Sequence, residues 1–233
     1  MSETPPIDTA PIPPVPPPGL PWEEPSAGLG SIFPTARRFI TSPIEAFAKM
    51  SLTVDLVRPI AYFVAFVLLG VPIGQLWRYV FWTRETSGLN FIPPDVMSQM
   101  PWLQVVLGRP TILVVVGMMI IAPLLNLITL FIWSGIVHVF LMMVGGASKG
   151  FATTLRVTCY SQTAGIAVIV PVAGGLIQPV WFLILQIIGL SQAHRVGGGK
   201  AAFAVIVPLV VCCGCVVAVG VMSGLALGNL LRH

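Results

Sequence analysis

Three cysteines in one apolar stretch, Cys212, Cys213 and Cys215, are the residues that most suggest metal or thiol chemistry. On a helix, neighbouring side chains such as Cys212 and Cys213 point about 100° apart. No histidine or acid lies nearby in the sequence to complete a tetrahedral metal site. Free cysteine otherwise behaves as a small buried hydrophobic residue. We therefore interpret these cysteines as apolar packing and predict no metal and no cofactor.

Motifs for catalysis are missing from the chain. It contains no Ser-His-Asp pattern, no His-Glu-x-x-His, no Walker loop and no Gly-x-Ser-x-Gly turn. All 8 acidic residues lie at or before Asp95, so no carboxylate follows that position. Carboxylate pairs and carboxylate proton relays are therefore excluded from the later part of the chain. The sequence predicts that the protein is not an enzyme.

Polar side chains within apolar stretches are the remaining candidates for a functional site. Asn126 and His138 share one stretch, and His194 closes another. Asn126 and His138 would stand about 18 Å apart along a helix, too far to share one site. We expect each of them to form a hydrogen bond between helices. A water-filled pocket would require Asn126, His138 and Gln178 to converge.

The elements that carry these residues are predicted to be membrane helices. The chain has 233 residues, of which 56% are hydrophobic and 9% charged, whereas about 25% are charged in soluble domains. A crossing helix needs about 20 apolar residues. We expect an all-α transmembrane bundle with about five spans, at 59–80, 123–143, 154–171, 176–194 and 201–229. In the uncharged stretch 111–145, Pro123 should mark a bend between an apolar helix and the span that follows.

Spans 154–171 and 176–194 meet at a chargeless cluster of helix breakers, Pro171-Val172-Ala173-Gly174-Gly175, and therefore form a hairpin. This cluster, together with segments 156–161, 188–194 and 200–202, resembles the core of the Yip1 family of multispanning membrane proteins. Cys159 and Ala164 stand where the family commonly has glycine and proline, which indicates a divergent, prokaryotic member.

The resemblance implies an integral membrane protein without an assigned chemistry. Eukaryotic relatives act in early secretory traffic and contact prenylated small GTPases, but no residue here can be matched to that contact. Tyr160-Ser161 would either read a protein or lipid partner, or form an aromatic anchor with a helix-to-helix hydrogen bond. The family-motif residues considered for interaction are Tyr160, Ser161, Pro171, Gly174, Gly175 and His194.

The chain before the first span divides into a tail and an amphipathic segment. Residues 1–32 are acidic and rich in proline, and we expect them to be disordered and to contribute nothing to folding. Their proline run, residues 11–18, favours polyproline II and would be either a spacer or a ligand for an aromatic groove. In segment 33–57, Ser42-Pro43 predicts the start of a helix. That helix would lie in the headgroup layer or pack on the bundle.

The distribution of basic residues predicts the orientation. Five spans with a cytoplasmic N-terminus place most of the basic residues inside, as expected for cytoplasmic loops. We therefore expect a bacterial cytoplasmic membrane, with the N-terminus inside and the C-terminus outside. The residues predicted inside are Arg37, Arg38, Lys49, Arg58, Lys149, Arg156, Arg195 and Lys200.

The last span carries Gly220, Gly224 and Gly228 at four-residue intervals. This spacing leaves one helix face without side chains and predicts a packing seam with another helix or a second copy. Gly224→Leu should disturb that seam.

Two functions fit these features. The first is a non-enzymatic membrane organiser or adaptor that acts through helix packing and through lipids, other membrane proteins or a homo-oligomer. The second is a small-solute or ion permease built on the broken hairpin 154–194. Nucleic-acid binding is not expected, because the chain lacks a dense basic patch.

Overall fold

The described part of the chain is built from helices. The computed structural model describes residues 19–53, 55–81 and 111–230. These residues form α-helices and short 3-10 helices and contain no β-strand. The predicted all-α fold class is therefore confirmed.

Short elements come before the first long helix. Two 3-10 turns, Pro21–Glu23 and Leu29–Ser31, lead into α1 (Ile32–Thr41) and α2 (Pro43–Ala48). The start of α2 at Pro43 agrees with the sequence, although the Ser42 side chain makes no capping hydrogen bond.

Helices α1 and α2 pack on the bundle through aromatic side chains. Phe39 of α1 is fully buried. Its ring centroid lies 4.8 Å from that of Phe47 and 5.2 Å from that of Tyr160. Phe33 and Ile44 remain exposed. The two helices thus bury one apolar face against protein and leave other apolar side chains uncovered, which suits a position at a membrane surface.

The prediction that residues 1–32 form a disordered tail is wrong for residues 19–32. Leu20 and Trp22 are buried, and the Trp22 indole nitrogen donates to the Arg58 carbonyl at 2.7 Å. A buried tryptophan with a satisfied N–H removes a large apolar area from water, and this offsets the entropy of ordering the segment. Residues 1–18 lie outside the described residues.

Among the described residues, four helices are long and apolar enough to cross a membrane: α3 (Val57–Phe81), α4 (Ile112–Met143), α6 (Ala173–His194) and the segment Gly198–Gly220 of α7 (Gly198–Leu230). They coincide with the predicted spans 59–80, 123–143, 176–194 and 201–229 to within a few residues, except at the start of α4 and the end of the apolar segment of α7.

The bend expected at Pro123 stays a prediction. Helix α4 runs for 32 residues with Pro123 inside it, so the apolar helix expected before the span is continuous with it. As a continuous helix, α4 is about 48 Å long, which exceeds a hydrocarbon core of about 30 Å.

The leg predicted at 154–171 is not one long α-helix. It consists of α5 (Phe151–Ser161) followed by a 3-10 helix, Gln162–Ile169. Because a 3-10 helix rises about 2.0 Å per residue, the two pieces together reach about 32 Å, close to the length of α6 at about 33 Å.

The two legs run antiparallel and meet at both ends. At one end the Ser148 hydroxyl donates to the His194 carbonyl at 2.7 Å. At the other end Gly174 lies directly against the Ala167 carbonyl. The chain therefore has the shape of a hairpin, while the number of membrane crossings stays a prediction.

Candidate functional site

Tyr160 lies at the centre of the polar contacts between the hairpin and the N-terminal segment. It is fully buried on α5. Its ring lies between Phe39 and Tyr62, with centroid distances of 5.2 and 5.1 Å. Its hydroxyl donates to the Glu23 carboxylate at 2.9 Å. A family-motif residue that was expected to read a partner or anchor at the interface instead binds a distant segment of its own chain.

The Glu23 carboxylate accepts a second hydrogen bond, from the backbone N–H of Ser51 at 2.9 Å. Burial raises the pKa of Glu23 above its ordinary value of 4.5. The hydrogen bonds from Ser51 and Tyr160 and the charges of Arg156 and Arg58 oppose this increase without cancelling it. The carboxylate is thus a partly desolvated acceptor whose donors are fixed in place.

Two arginines fasten the same region. Arg58 at the start of α3 donates to the carbonyls of Trp22 at 2.9 Å and Glu24 at 2.6 Å. Arg156 is buried on α5 and donates to the Ser51 carbonyl at 3.1 Å. We call this set the N-terminal clamp: Glu23, Ser51, Arg58, Arg156 and Tyr160.

A second polar cluster joins α4, α5 and α6. The N–H of Lys149 donates to Nδ1 of His194 at 3.3 Å, so the proton of the neutral imidazole lies on Nε2. Nε2 contacts the Thr154 hydroxyl at 3.0 Å, and that hydroxyl contacts Nδ1 of His138 at 2.9 Å. Thr154 therefore accepts from His194 and is also hydrogen-bonded to His138. The sequence treated these two histidines separately, and the structure joins them through one threonine.

A cavity of about 160 Å³ lies between α3, α4 and the hairpin. Asn126, Gln162 and Gln178 supply its polar lining. The amide nitrogen of Asn126 donates to the Ala122 carbonyl of its own helix at 2.8 Å, whereas a bond to another helix was expected. Asn126 and Gln178 thus converge, but His138 does not line this cavity.

Comparison with known proteins shows the family to which the chain belongs. The model of one protein family, the Yip1 domain, matches residues 37–220. The chain belongs to the Yip1 family. With four helices in the described part of the chain long and apolar enough to cross a membrane, it is an integral membrane protein. Neither the curated proteins nor the solved structures include a match.

The clamp reaches beyond the matched Yip1 domain, because Glu23 precedes residue 37. Sequence reasoning missed Glu23 because a carboxylate among prolines looks like part of a solvated tail. The available signal was its neighbour Trp22, since tryptophan in a proline-rich stretch usually needs a surface to pack on.

Gln186 of the Yip1 domain was also missed. It is fully buried on α6. Its side chain donates to the Thr158 hydroxyl at 2.8 Å and accepts from the Trp133 indole at 2.9 Å. It therefore links three helices, a role that amide side chains often take within apolar spans.

The remaining motif residues have local roles. The Ser161 hydroxyl donates to the Val157 carbonyl of its own helix at 2.8 Å, so the expected helix-to-helix bond is absent from its contacts. Pro171 lies in the turn between the legs. A side chain on Gly174 would overlap the Ala167 backbone, whereas the same position on Gly175 faces open space.

The packing seam predicted at Gly220, Gly224 and Gly228 can be examined only at Gly220, where no other helix lies close. A Cβ atom on Gly220 would meet nothing within 4 Å. Gly224 and Gly228 lie within α7, but their surroundings are outside the described residues. Cys212, Cys213 and Cys215 are exposed on α7 rather than buried in protein packing. Among the described residues no group of three His, Cys, Asp or Glu side chains could hold a metal.

Proposed function

We propose that this Yip1 protein is a non-enzymatic membrane adaptor. The N-terminal clamp carries the proposal. It ties the segment that follows the proline run to the transmembrane hairpin through partly buried, charge-assisted hydrogen bonds, which are about twice as strong as neutral ones. A partner bound to the proline run would be held at a defined place on the bundle.

The geometry at Gly19 supports this role. The Gly19 carbonyl accepts from the Arg38 guanidinium at 2.9 Å, and the proline run 11–18 ends directly before it. Polyproline II is a preformed, low-entropy ligand for aromatic-lined grooves. A domain with such a groove is the partner we propose, with membrane lipids and other membrane proteins or a second copy around the exposed apolar helices.

The orientation belongs to the same proposal. The excess of basic residues on the side of the N-terminus favours a cytoplasmic tail in a bacterial cytoplasmic membrane. Cysteine labelling at substituted Ser2 and Arg232 in intact cells tests it. Labelling of both ends from the same side would contradict a cytoplasmic N-terminus with an external C-terminus.

A photoreactive residue at Val15 tests the adaptor role in native membranes. We expect a defined adduct that a variant with alanine at Pro13, Pro14, Pro16 and Pro17 does not form. Alanine at Pro5 and Pro6, outside the run, is the matched control and should leave the adduct unchanged. The purified partner should then bind the intact protein but not the variant. Absence of an adduct, or an adduct indifferent to the prolines, would contradict the proposal.

One observation favours the permease as a second candidate. A cavity of about 340 Å³ shares Asn126 and Gln162 with the smaller polar cavity and adds Thr129 and Thr158. Solute flux into liposomes that contain the purified protein tests it, with Gln162→Leu as the variant and Cys213→Leu as a control on the exposed side of α7. Flux that only Gln162→Leu abolishes would favour a permease over an adaptor.

A further inference from the structure

A hollow of about 480 Å³ lies at one end of the bundle, where the α4–α5 and α6–α7 connections meet. Three basic side chains line it: Lys149 from the first connection, and Arg195 and Lys200 from the second. We call it the basic hollow. It is separate from the N-terminal clamp and from the polar cavity around Asn126.

The positive charge of the basic hollow is not neutralised within the described residues. None of its three cations forms an ion pair with a carboxylate there. The chain carries no acidic residue after Asp95, so no nearby loop of the C-terminal half can supply one. Like charges held together without a counter-charge repel one another, and an anion between them would relieve that repulsion.

Arg195 is held in a conformation that favours glycine. Its φ is 56°, in the left-handed region. It occupies the residue after the end of α6 in a Schellman motif, in which the N–H of Val196 donates to the Ser191 carbonyl at 3.0 Å. Gly197 follows only two residues later. Every residue with a side chain is strained in this backbone conformation, so glycine would be preferred here. The presence of an arginine suggests that its charge is needed in the hollow.

Hydrogen bonds hold together the residues that line the basic hollow. His194 lies in its lining, and its Nδ1 accepts the N–H of Lys149. The Ser148 hydroxyl donates to the His194 carbonyl. These bonds fix the loop that carries Lys149 to the end of α6, so the cations from two connections keep their spacing.

The location indicates the kind of anion. Three helices that qualify as membrane spans end or begin here: α4 ends at Met143, α6 ends at His194 and α7 begins at Gly198. Such ends lie at the level of the lipid headgroups, where basic pockets between helices bind lipid phosphates. Cβ positions on Gly198 and Gly199 face open space, so an anion can also approach the first turn of α7.

We propose that the basic hollow binds a phosphate group. At this depth the phosphate can belong to an anionic lipid headgroup or to a small phosphate in solution, and the experiment separates these sources. The proposal does not depend on the adaptor role, because neither the clamp nor the proline run takes part.

The test uses the full-length protein purified in a neutral detergent. Native mass spectrometry measures retention of phosphatidylglycerol against phosphatidylcholine, and titration with inorganic phosphate forms the second arm. The variant is Arg195→Gln with Lys200→Gln. The control is Arg37→Gln with Lys49→Gln, two exposed positions outside the hollow, which removes the same charge. Thermal unfolding verifies that both double variants fold.

We expect the hollow variant to weaken phosphatidylglycerol binding by about 25-fold, since each of the two basic residues near a membrane surface contributes about fivefold. The control should change it much less. If only inorganic phosphate binds, and only the hollow variant loses it, the site is confirmed with a soluble source. If a folded hollow variant binds both probes as the intact protein does, the proposal is overturned.

Discussion

The hairpin leg α5 and the long helix α4 differ in how they are held in the bundle. All nine residues of α5 from Thr153 to Ser161 are buried. In α4 the most apolar window of 18 residues contains no buried residue. α5 is fixed by hydrogen bonds to α4, α6 and the N-terminal segment, whereas α4 presents apolar side chains outward. In a bilayer, lipid tails satisfy apolar side chains as well as protein does, so hydrogen bonds and close backbone contacts must specify the packing.

The largest effect should come from the closest backbone contact in the hairpin. Gly174→Ala would place Cβ on the Ala167 carbonyl, and neither backbone can move away without breaking the turn. We expect a loss of unfolding free energy of about 3 kcal/mol or more, measured by thermal or denaturant unfolding in detergent. Gly175→Ala, which meets open space, is the control and should be neutral or slightly stabilising. Equal effects of the two changes would mean that the legs do not touch at the turn.

The next effect concerns the N-terminal clamp. Tyr160→Phe removes a donor from a carboxylate, which should lower the unfolding free energy by about 2 kcal/mol. Tyr62→Phe is the matched control. Its hydroxyl contacts the neutral hydroxyl of Thr163 at 2.7 Å, so its loss should reduce stability by about 1 kcal/mol. If Tyr160→Phe lowers the unfolding free energy no more than Tyr62→Phe does, the hydrogen bond to Glu23 adds nothing beyond a neutral hydrogen bond.

Arg195→Gly should act in the opposite direction. Glycine adopts the left-handed conformation at the end of α6 without strain, although it also loosens the unfolded chain. We expect a gain of about 0.5–1 kcal/mol in the same unfolding assay, together with weaker phosphatidylglycerol binding. A loss of stability would show that the arginine serves the fold rather than the basic hollow.

A smaller effect should depend on pH. The pKa of Glu23 is raised in the folded protein, so the folded state holds a proton that the unfolded state releases once the pH exceeds about 4.5. Stability should therefore decrease as the pH rises through the window between 4.5 and the raised pKa. Glu23→Gln should remove this part of the pH dependence, because an amide does not titrate. The amide can still accept from the Ser51 N–H and can donate to the Tyr160 hydroxyl, so both contacts of the side chain are kept. Melting temperatures of both proteins, measured from pH 4.5 to 7, test this prediction. If the two melting temperatures change with pH in the same way, the Glu23 carboxylate is not the source of the pH dependence.

The smallest effect is expected on α7. Gly220→Leu places a side chain where nothing lies within 4 Å, so the unfolding free energy should change by no more than about 0.5 kcal/mol. Gly224→Leu, at the centre of the predicted seam, is compared with it. If Gly224→Leu alone weakens a cross-linked dimer, the seam joins two copies. If neither change alters stability or cross-linking, this face contacts lipid.

The sequence predicted most of the fold because its signals are local. Length and apolar composition located α3, α6 and α7, and the cluster at Pro171 to Gly175 located the turn of the hairpin. Pro123 lies inside α4 and does not interrupt its helical structure, so the apolar helix expected before the span and the span itself form one helix. For the candidate site, the sequence singled out His138 and His194 as polar residues in apolar stretches, but it did not predict their connection through Thr154.

The sequence alone therefore determined membrane residence, helix content and family, since each follows from composition or from motifs contained in short segments. Tertiary structure alone decided that Glu23 binds Tyr160, that Gly174 touches Ala167, and that Lys149 joins Arg195 and Lys200 around one hollow. The first and the last join segments far apart in the chain, and the contact of Gly174 depends on how closely the two legs approach at the turn. Their selection depends on hydrogen-bond geometry and close contact between helices, which no local pattern of residue types encodes.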